Sequence, residues 1–326
     1  SETRVYGNFG GLVITKTLEG RTMHAGEFGF AIEANDDASK ALLERVGAHD
    51  GVLEFQNPSD RAAGIADVMR PLDSLEFTEA DAGKTFDFTV RESVPADVDK
   101  LAGVTYDATE HTVKIAVGFD ELGKNLAVAT YIDEQLANEP EVAFNNSYAA
   151  GDAAYATVDF GLGKVLEGRD WTDRDTFEFE FAALTDGAPL PESTTAVANS
   201  NTAARADGAK LIDFGGITFA SRDVASEPSH SKTFVYQVRE AKPSTAKPGI
   251  EYSQNVATIK VHVLDDGKGT LVVSSTTENA TFVNHYSATL NYSAAGGLSL
   301  EKTLNGRDMV DGQFRIEVMP ANEASA

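Results

Sequence analysis

The chain contains no cysteine in 326 residues, so no disulfide can staple it and any covalent stiffening must use other side chains. Positive charge is scarce: 27 Lys and Arg stand against 51 Asp and Glu, a net charge of −24. That balance argues against nucleic-acid binding or attachment to an anionic membrane surface, and it fits a self-repelling extracellular surface. No run of about 18 apolar residues occurs, so no stretch reads as a membrane-spanning helix. The opening SETRVYGNFG has no basic region followed by an apolar one, and the closing residues carry no hydrophobic anchor. Targeting and anchoring segments are therefore expected outside this stretch of sequence. Catalytic signatures are missing too. His24, His49, His111, His230, His262 and His285 are scattered, with no HExxH, GxSxG or phosphate-cradling glycine motif among them, so no enzyme acting on external substrates is expected.

What the sequence does contain is a threefold repeat. In LVITKTLEGR, Leu12, Ile14, Lys16 and Leu18 alternate with Val13, Thr15, Thr17 and Glu19. Alternation with β-branched residues reads as a half-buried strand, and it sets Lys16 in the core-facing row. A lysine there is rare unless it is paired or neutral. The pattern returns at Phe160, Leu162, Lys164 and Leu166, and again at Leu298, Leu300, Lys302 and Leu304, each time followed by Gly-Arg.

Two further polar residues sit on apolar rows. KTFDFTVRES places Glu92 with Phe86, Phe88 and Val90, and KTFVYQVREA places Glu240 with Phe234, Tyr236 and Val238. EVAFNNSY places Asn146 with Phe144 and Tyr148, while FVNHY places Asn284 with Phe282 and Tyr286. Lysine and glutamate are separated by 76 residues both times, and glutamate and asparagine by 54 and 44. With 42% hydrophobic and 9% aromatic residues the chain can build real cores, and its length suits roughly two domains of 100–200 residues. Many short strands separated by Gly, Asp and Asn turns predict an all-β protein of tandem immunoglobulin-like β-sandwich domains. The expected division is residues 1–150 for repeat one, 151–288 for repeat two and 289–326 for the opening of a third. One short helix is expected at Asp36–Val46, and Asp186–Lys210 reads as a solvated loop.

Buried together, the three polar residues could be a satisfied ion pair with an amide partner. They could also react. An apolar site drives lysine toward the nucleophilic free amine and glutamate toward the acid. Attack of the amine on the asparagine amide, with loss of ammonia, leaves a Lys–Asn isopeptide bond.

The motifs ITKTLEGR, FTVRES with GVTYD, and FNNSY resemble the intramolecular isopeptide domains of Gram-positive surface pilins, of the streptococcal major-pilin type. LGKVLEGR, YQVREA with GIEYS, and FVNHY resemble them equally. The resemblance implies a sandwich with a spontaneous bond between its first and last strands: Lys16 to Asn146 promoted by Glu92, and Lys164 to Asn284 promoted by Glu240. Lys302 would stay unpaired, since no counterpart of the glutamate or asparagine follows it here. The implied role is a stalk or shaft of a cell-wall-attached surface protein, without cofactor or metal. Its partners would be neighbouring repeats, and with them sortase and other pilin subunits. No sortase-type lysine motif is evident, which leaves an adhesin stalk open beside a pilus backbone. A lectin-like adhesin module is the rival. Its support is Trp171 as a sugar platform and the acidic loops Asp97–Asp99 and Asp265–Gly267 as calcium sites, which read more simply as turns.

Overall fold

A computed structural model describes residues 2–225 and 229–322. Strands dominate, and they form two successive sandwiches with separate cores. In the first, a six-stranded antiparallel sheet runs Gln135–Ala137, Leu126–Ile132, Glu110–Phe119, Thr85–Glu92, Gly29–Ala34, Val52–Gln56. It faces a four-stranded sheet ordered Asp67–Met69, Val13–Glu19, Glu141–Tyr148, Val104–Thr105. The second sandwich repeats the plan. Its five-stranded sheet is Thr195–Asn199, Thr176–Ala183, Ser231–Glu240, Val256–Asp265, Leu271–Glu278, and its four-stranded sheet is Lys210–Leu211, Gly163–Glu167, Thr281–Tyr286, Ile250–Glu251. The architecture is all-β in tandem, as the alternation predicts.

The lysine strand and the asparagine strand lie side by side and parallel in each domain. That pairing follows from topology: two strands far apart in sequence can run the same way because the whole opposite sheet intervenes as the crossover. The alternating rows decide which side chains enter the core. Along Glu141–Tyr148 every second residue is buried, and Val142, Phe144, Asn146 and Tyr148 are the ones inside. Along Thr85–Glu92 the buried row is Phe86, Phe88, Val90 and Glu92.

Several details differ from the sequence reading. The lysine strand is not the first strand of its domain, because Thr3–Val5 precedes it and pairs with Glu76–Thr78. In the second domain Ala153–Ala156 likewise pairs with Gly216–Phe219 ahead of the lysine strand. Asp186–Lys210 is not a plain loop: Thr195–Asn199 pairs antiparallel with Thr176–Ala183 and buries Ala196 and Ala198. Its buried positions are alanines, too small to stand out as a hydrophobic row. The helix of the first domain spans Asp37–Glu44, capped by Asp36, whose carboxylate accepts the Ser39 N–H at 2.7 Å. The Leu298–Leu304 stretch, expected as a third lysine strand, forms no strand and is almost wholly exposed. With no opposite sheet among the described residues to cover its apolar row, it lacks the packing that makes the other two copies strands.

Candidate functional site

Parallel pairing sets the register of each site. Lys16 lies opposite Phe144 and Asn146 opposite Leu18, so lysine and asparagine share one face two residues apart on neighbouring strands. Lys164 opposite Phe282 and Asn284 opposite Leu166 repeat that register. The glutamate comes from the other sheet and reaches across the core. Glu92 sits opposite Phe30 on its neighbouring strand, and Glu240 sits opposite Phe179 in the same way.

The three side chains meet. Lys16 Nζ donates to Glu92 Oε2 at 2.8 Å, and Asn146 Nδ2 donates to Glu92 Oε1 at 2.7 Å. In the second domain Lys164 Nζ donates to Glu240 Oε2 and Asn284 Nδ2 to Glu240 Oε1, both at 2.7 Å. One carboxylate therefore bridges the amine and the amide in each core. Both lysines are fully buried, and both glutamate side chains are only 1% exposed. The lysine ammonium also lies over an aromatic face, Phe28 at 4.6 Å and Phe177 at 4.7 Å from the ring centroids.

Burial acts on the charges at each site. Burial pulls the Lys16 amine below its ordinary range, against the opposing pull of Glu92, and burial pushes the Glu92 carboxyl up. Burial likewise brings Lys164 down to about 8. Burial thus works against the charged form of both lysines and of Glu92, which narrows the gap to the neutral amine that the chemistry needs.

One participant is absent from the sequence reading. The Asp107 backbone N–H donates to Asn146 Oδ1 at 2.7 Å, and the Ser253 N–H donates to Asn284 Oδ1 at 2.7 Å. Each amide carbonyl is thus polarised from the oxygen side while its nitrogen is held by the carboxylate. A backbone donor leaves no residue-type signature. The only sequence signal is its place, directly after GVTY in one repeat and GIEY in the other.

The remaining candidates fall elsewhere. Lys302 is exposed, donates to the Thr303 carbonyl at 2.8 Å, and lies 4.6 Å from the Phe314 ring centroid. It meets no carboxylate among the described residues. Trp171 is half-buried, with its ring 5.5 Å edge-on to Phe177, so it packs on the lysine pocket and offers no open sugar platform. Asp265 is buried and Asp266 caps its own turn through the Lys268 and Thr270 N–H groups. No group of three or more metal-ligating side chains gathers among the described residues. No helix there is long and apolar enough to cross a membrane.

Comparison with known proteins places the chain. A family model described as FctA, Spy0128-like isopeptide containing domain, matches it twice, over residues 12–149 and 160–287. No curated protein matches. Among solved structures, a major pilin protein of one Streptococcus pyogenes serotype shares 16% identity at a TM-score of 0.31, over 88% of this chain and 98% of that one. A second Streptococcus pyogenes major pilin shares 15% at a TM-score of 0.28, over 84% and 98%. The major pilin subunit BcpA of Bacillus cereus shares 9% at 0.20, over 83% and 68%. The chain belongs to the Spy0128-like isopeptide domain family.

Proposed function

We propose, from that family membership, that this chain is a shaft section of a bacterial cell-surface pilin or pilin-like protein, and that each complete domain staples itself with a Lys–Asn isopeptide bond. The observation that carries the reading is the twofold occurrence of one buried arrangement: amine and amide held by the two oxygens of a single carboxylate, with a backbone N–H on the amide oxygen.

The chemistry follows from those contacts. The lysine ammonium gives a proton to the glutamate Oε2 and becomes a free amine. Its Nζ lone pair attacks the asparagine Cγ, and the electron pair of the C=O bond moves onto Oδ1. The Asp107 or Ser253 N–H already points at the oxygen that gains charge. The carboxyl takes a second proton from Nζ and delivers one to Nδ2. The Cγ–Nδ2 bond then breaks, the carbonyl reforms, and ammonia leaves with the former Nδ2. A C–N bond replaces a C–N bond, no oxidant is needed, and the glutamate ends as the acid. Folding holds the reactants in contact, which lowers a barrier that free amine and amide meet in solution. The glutamate acts once per molecule, so the chain turns over no external substrate.

As a shaft section, the chain would lie outside the cell, joined to the wall by segments beyond this one. Sortase and other pilin subunits would be its assembly partners. The test of the bonds is a tryptic digest read by tandem mass spectrometry. Branched peptides joining the Lys16 and Asn146 peptides, and the Lys164 and Asn284 peptides, are expected. Recovery of these four as separate linear peptides would refute the stapling.

A further inference from the structure

The joint between the two domains is built on a tyrosine plug. Tyr148, the last residue of the first asparagine strand, donates its hydroxyl to Asp265 Oδ1 at 2.7 Å and accepts the Gly269 N–H at 2.9 Å. Both partners belong to the tip of a hairpin in the second domain. Asp265 is fixed by its own surroundings, taking the Ser221 hydroxyl at 3.1 Å and the Gly267 N–H at 2.9 Å. Gly269 sits at φ +92°, and a Cβ there would come within 3.0 Å of the Ala102 Cβ, so the hairpin tip must be this lean to seat against the first domain. Behind the plug, the Arg21 guanidinium lies 5.2 Å from the Tyr148 ring centroid and is held by Glu27 at 3.1 Å.

The second domain carries the same plug. Tyr286 ends its asparagine strand, and the Arg169 guanidinium lies 4.6 Å from the ring centroid, held by Asp175 at 2.7 Å. Gly168 lies so close under the Tyr286 carbonyl that a Cβ would collide with it, as one on Gly20 would collide with Tyr148. Gly249 backs the Tyr286 ring as Gly103 backs the Tyr148 ring. Yet among the described residues no hydrogen bond reaches the Tyr286 hydroxyl.

The socket is not repeated. In the hairpin of the first domain Phe119 pairs with Leu126, where in the second Asp265 pairs with Leu271. Phe119 is 51% exposed and offers no acceptor, and Glu79 stands where the second domain has Ser221, each opening a short 3-10 turn. A second copy of this chain stacked head to tail would therefore bring a phenyl ring to the plug. The segment after Tyr286 supplies a better candidate. Sixteen residues lead from Tyr148 to Lys164, and sixteen lead from Tyr286 to Lys302. The third repeat thus starts at the distance from its plug that the second domain keeps from the first.

We propose that Tyr286, backed by Arg169, is a docking surface for the acidic hairpin tip of a further domain of this type on the same chain, the domain that the third lysine repeat at Leu298–Leu304 would open. Successive domains then join through one repeated contact, tyrosine hydroxyl to aspartate carboxylate. The contact needs only the repeated fold and stands whether or not the isopeptide bonds form.

The absence of cysteine allows clean placement of paired spin labels. In the 326-residue chain, one label on an exposed site of each domain reports the first joint. A chimera in which residues 149–288 are repeated after Tyr286, in place of 287–326, places an Asp265 hairpin at the second joint. Hydrogen exchange checks that the added copy is folded. Pulsed electron resonance should give a single narrow distance at each joint. Tyr148→Phe should destroy the narrow peak at the first joint only, and Tyr286→Phe at the second only. A broad distribution at the second joint of the folded chimera, or a narrow one that survives Tyr286→Phe, would overturn the proposal. So would a first joint indifferent to Tyr148→Phe, a measurement that needs no chimera.

Discussion

At the scale of single residues, one carboxylate touches both the amine and the amide. Glu92→Ala should leave the first bond unformed while the second forms, because the two cores share no residue. Such a protein should lose one ammonia, and loss of two would remove Glu92 from its role. Glu92→Gln keeps the shape and should behave alike. The alanine variant also leaves Lys16 buried without its charge partner, and breaking such a pair costs roughly 3–5 kcal/mol. A lower denaturant midpoint for the first domain than in Asn146→Ala, which merely prevents the bond, is the expected outcome. A second prediction concerns pH. In Asn284→Ala the second lysine stays an amine, and its folded value of about 8 lies below its ordinary 10.5. Between those values the unfolded chain holds a proton that the folded chain lacks, so stability should rise with pH through that window and gain nothing below it. Urea midpoints of Asn284→Ala against Lys164→Met/Asn284→Ala, followed from about pH 7 to about pH 10, isolate this dependence. A difference that is flat or falls with pH would contradict a depressed lysine.

At the scale of strands, parity carried most of what the sequence disclosed. Lys16, Glu92 and Asn146 were legible because each breaks an otherwise apolar row of period two, and a polar residue in such a row must find a partner. The same reasoning could not say that the glutamate crosses from the opposite sheet, since parity fixes a face but not the facing sheet. It missed the Asp107 and Ser253 donors because a backbone N–H has no side-chain signature. It also missed Thr195–Asn199, whose buried row is alanine, and it expected a strand at Leu298–Leu304, where the period is right but nothing covers the face. The parallel pairing of lysine and asparagine strands gives the staple its effect. The proposed bond between them would close a loop of about 130 residues, and by the chain-entropy estimate for disulfides such closure would contribute roughly 4–5 kcal/mol. Asn146→Ala, which keeps the fold but not the bond, should lower the stability of the first domain by an amount of that order. An unchanged thermal midpoint would mean that the strands hold without the staple.

At the scale of the whole molecule, the consequence is mechanical. With the proposed bond in place, force entering near a lysine strand and leaving near the adjacent asparagine strand would be carried by one covalent bond, and the strands between them would be bypassed. Lys302, exposed and without a carboxylate partner among the described residues, should react with amine-directed labels in the folded chain, whereas Lys16 and Lys164 should resist them; a labelled Lys16 or an unlabelled Lys302 would break the division between closed and open repeats. Whether both cores have already reacted is read from intact-mass spectrometry of the denatured chain. Two closed staples give a mass below that of the sequence by two ammonia molecules, falling short by only one in Glu92→Ala or Glu240→Ala. A mass equal to that of the unmodified sequence would contradict it.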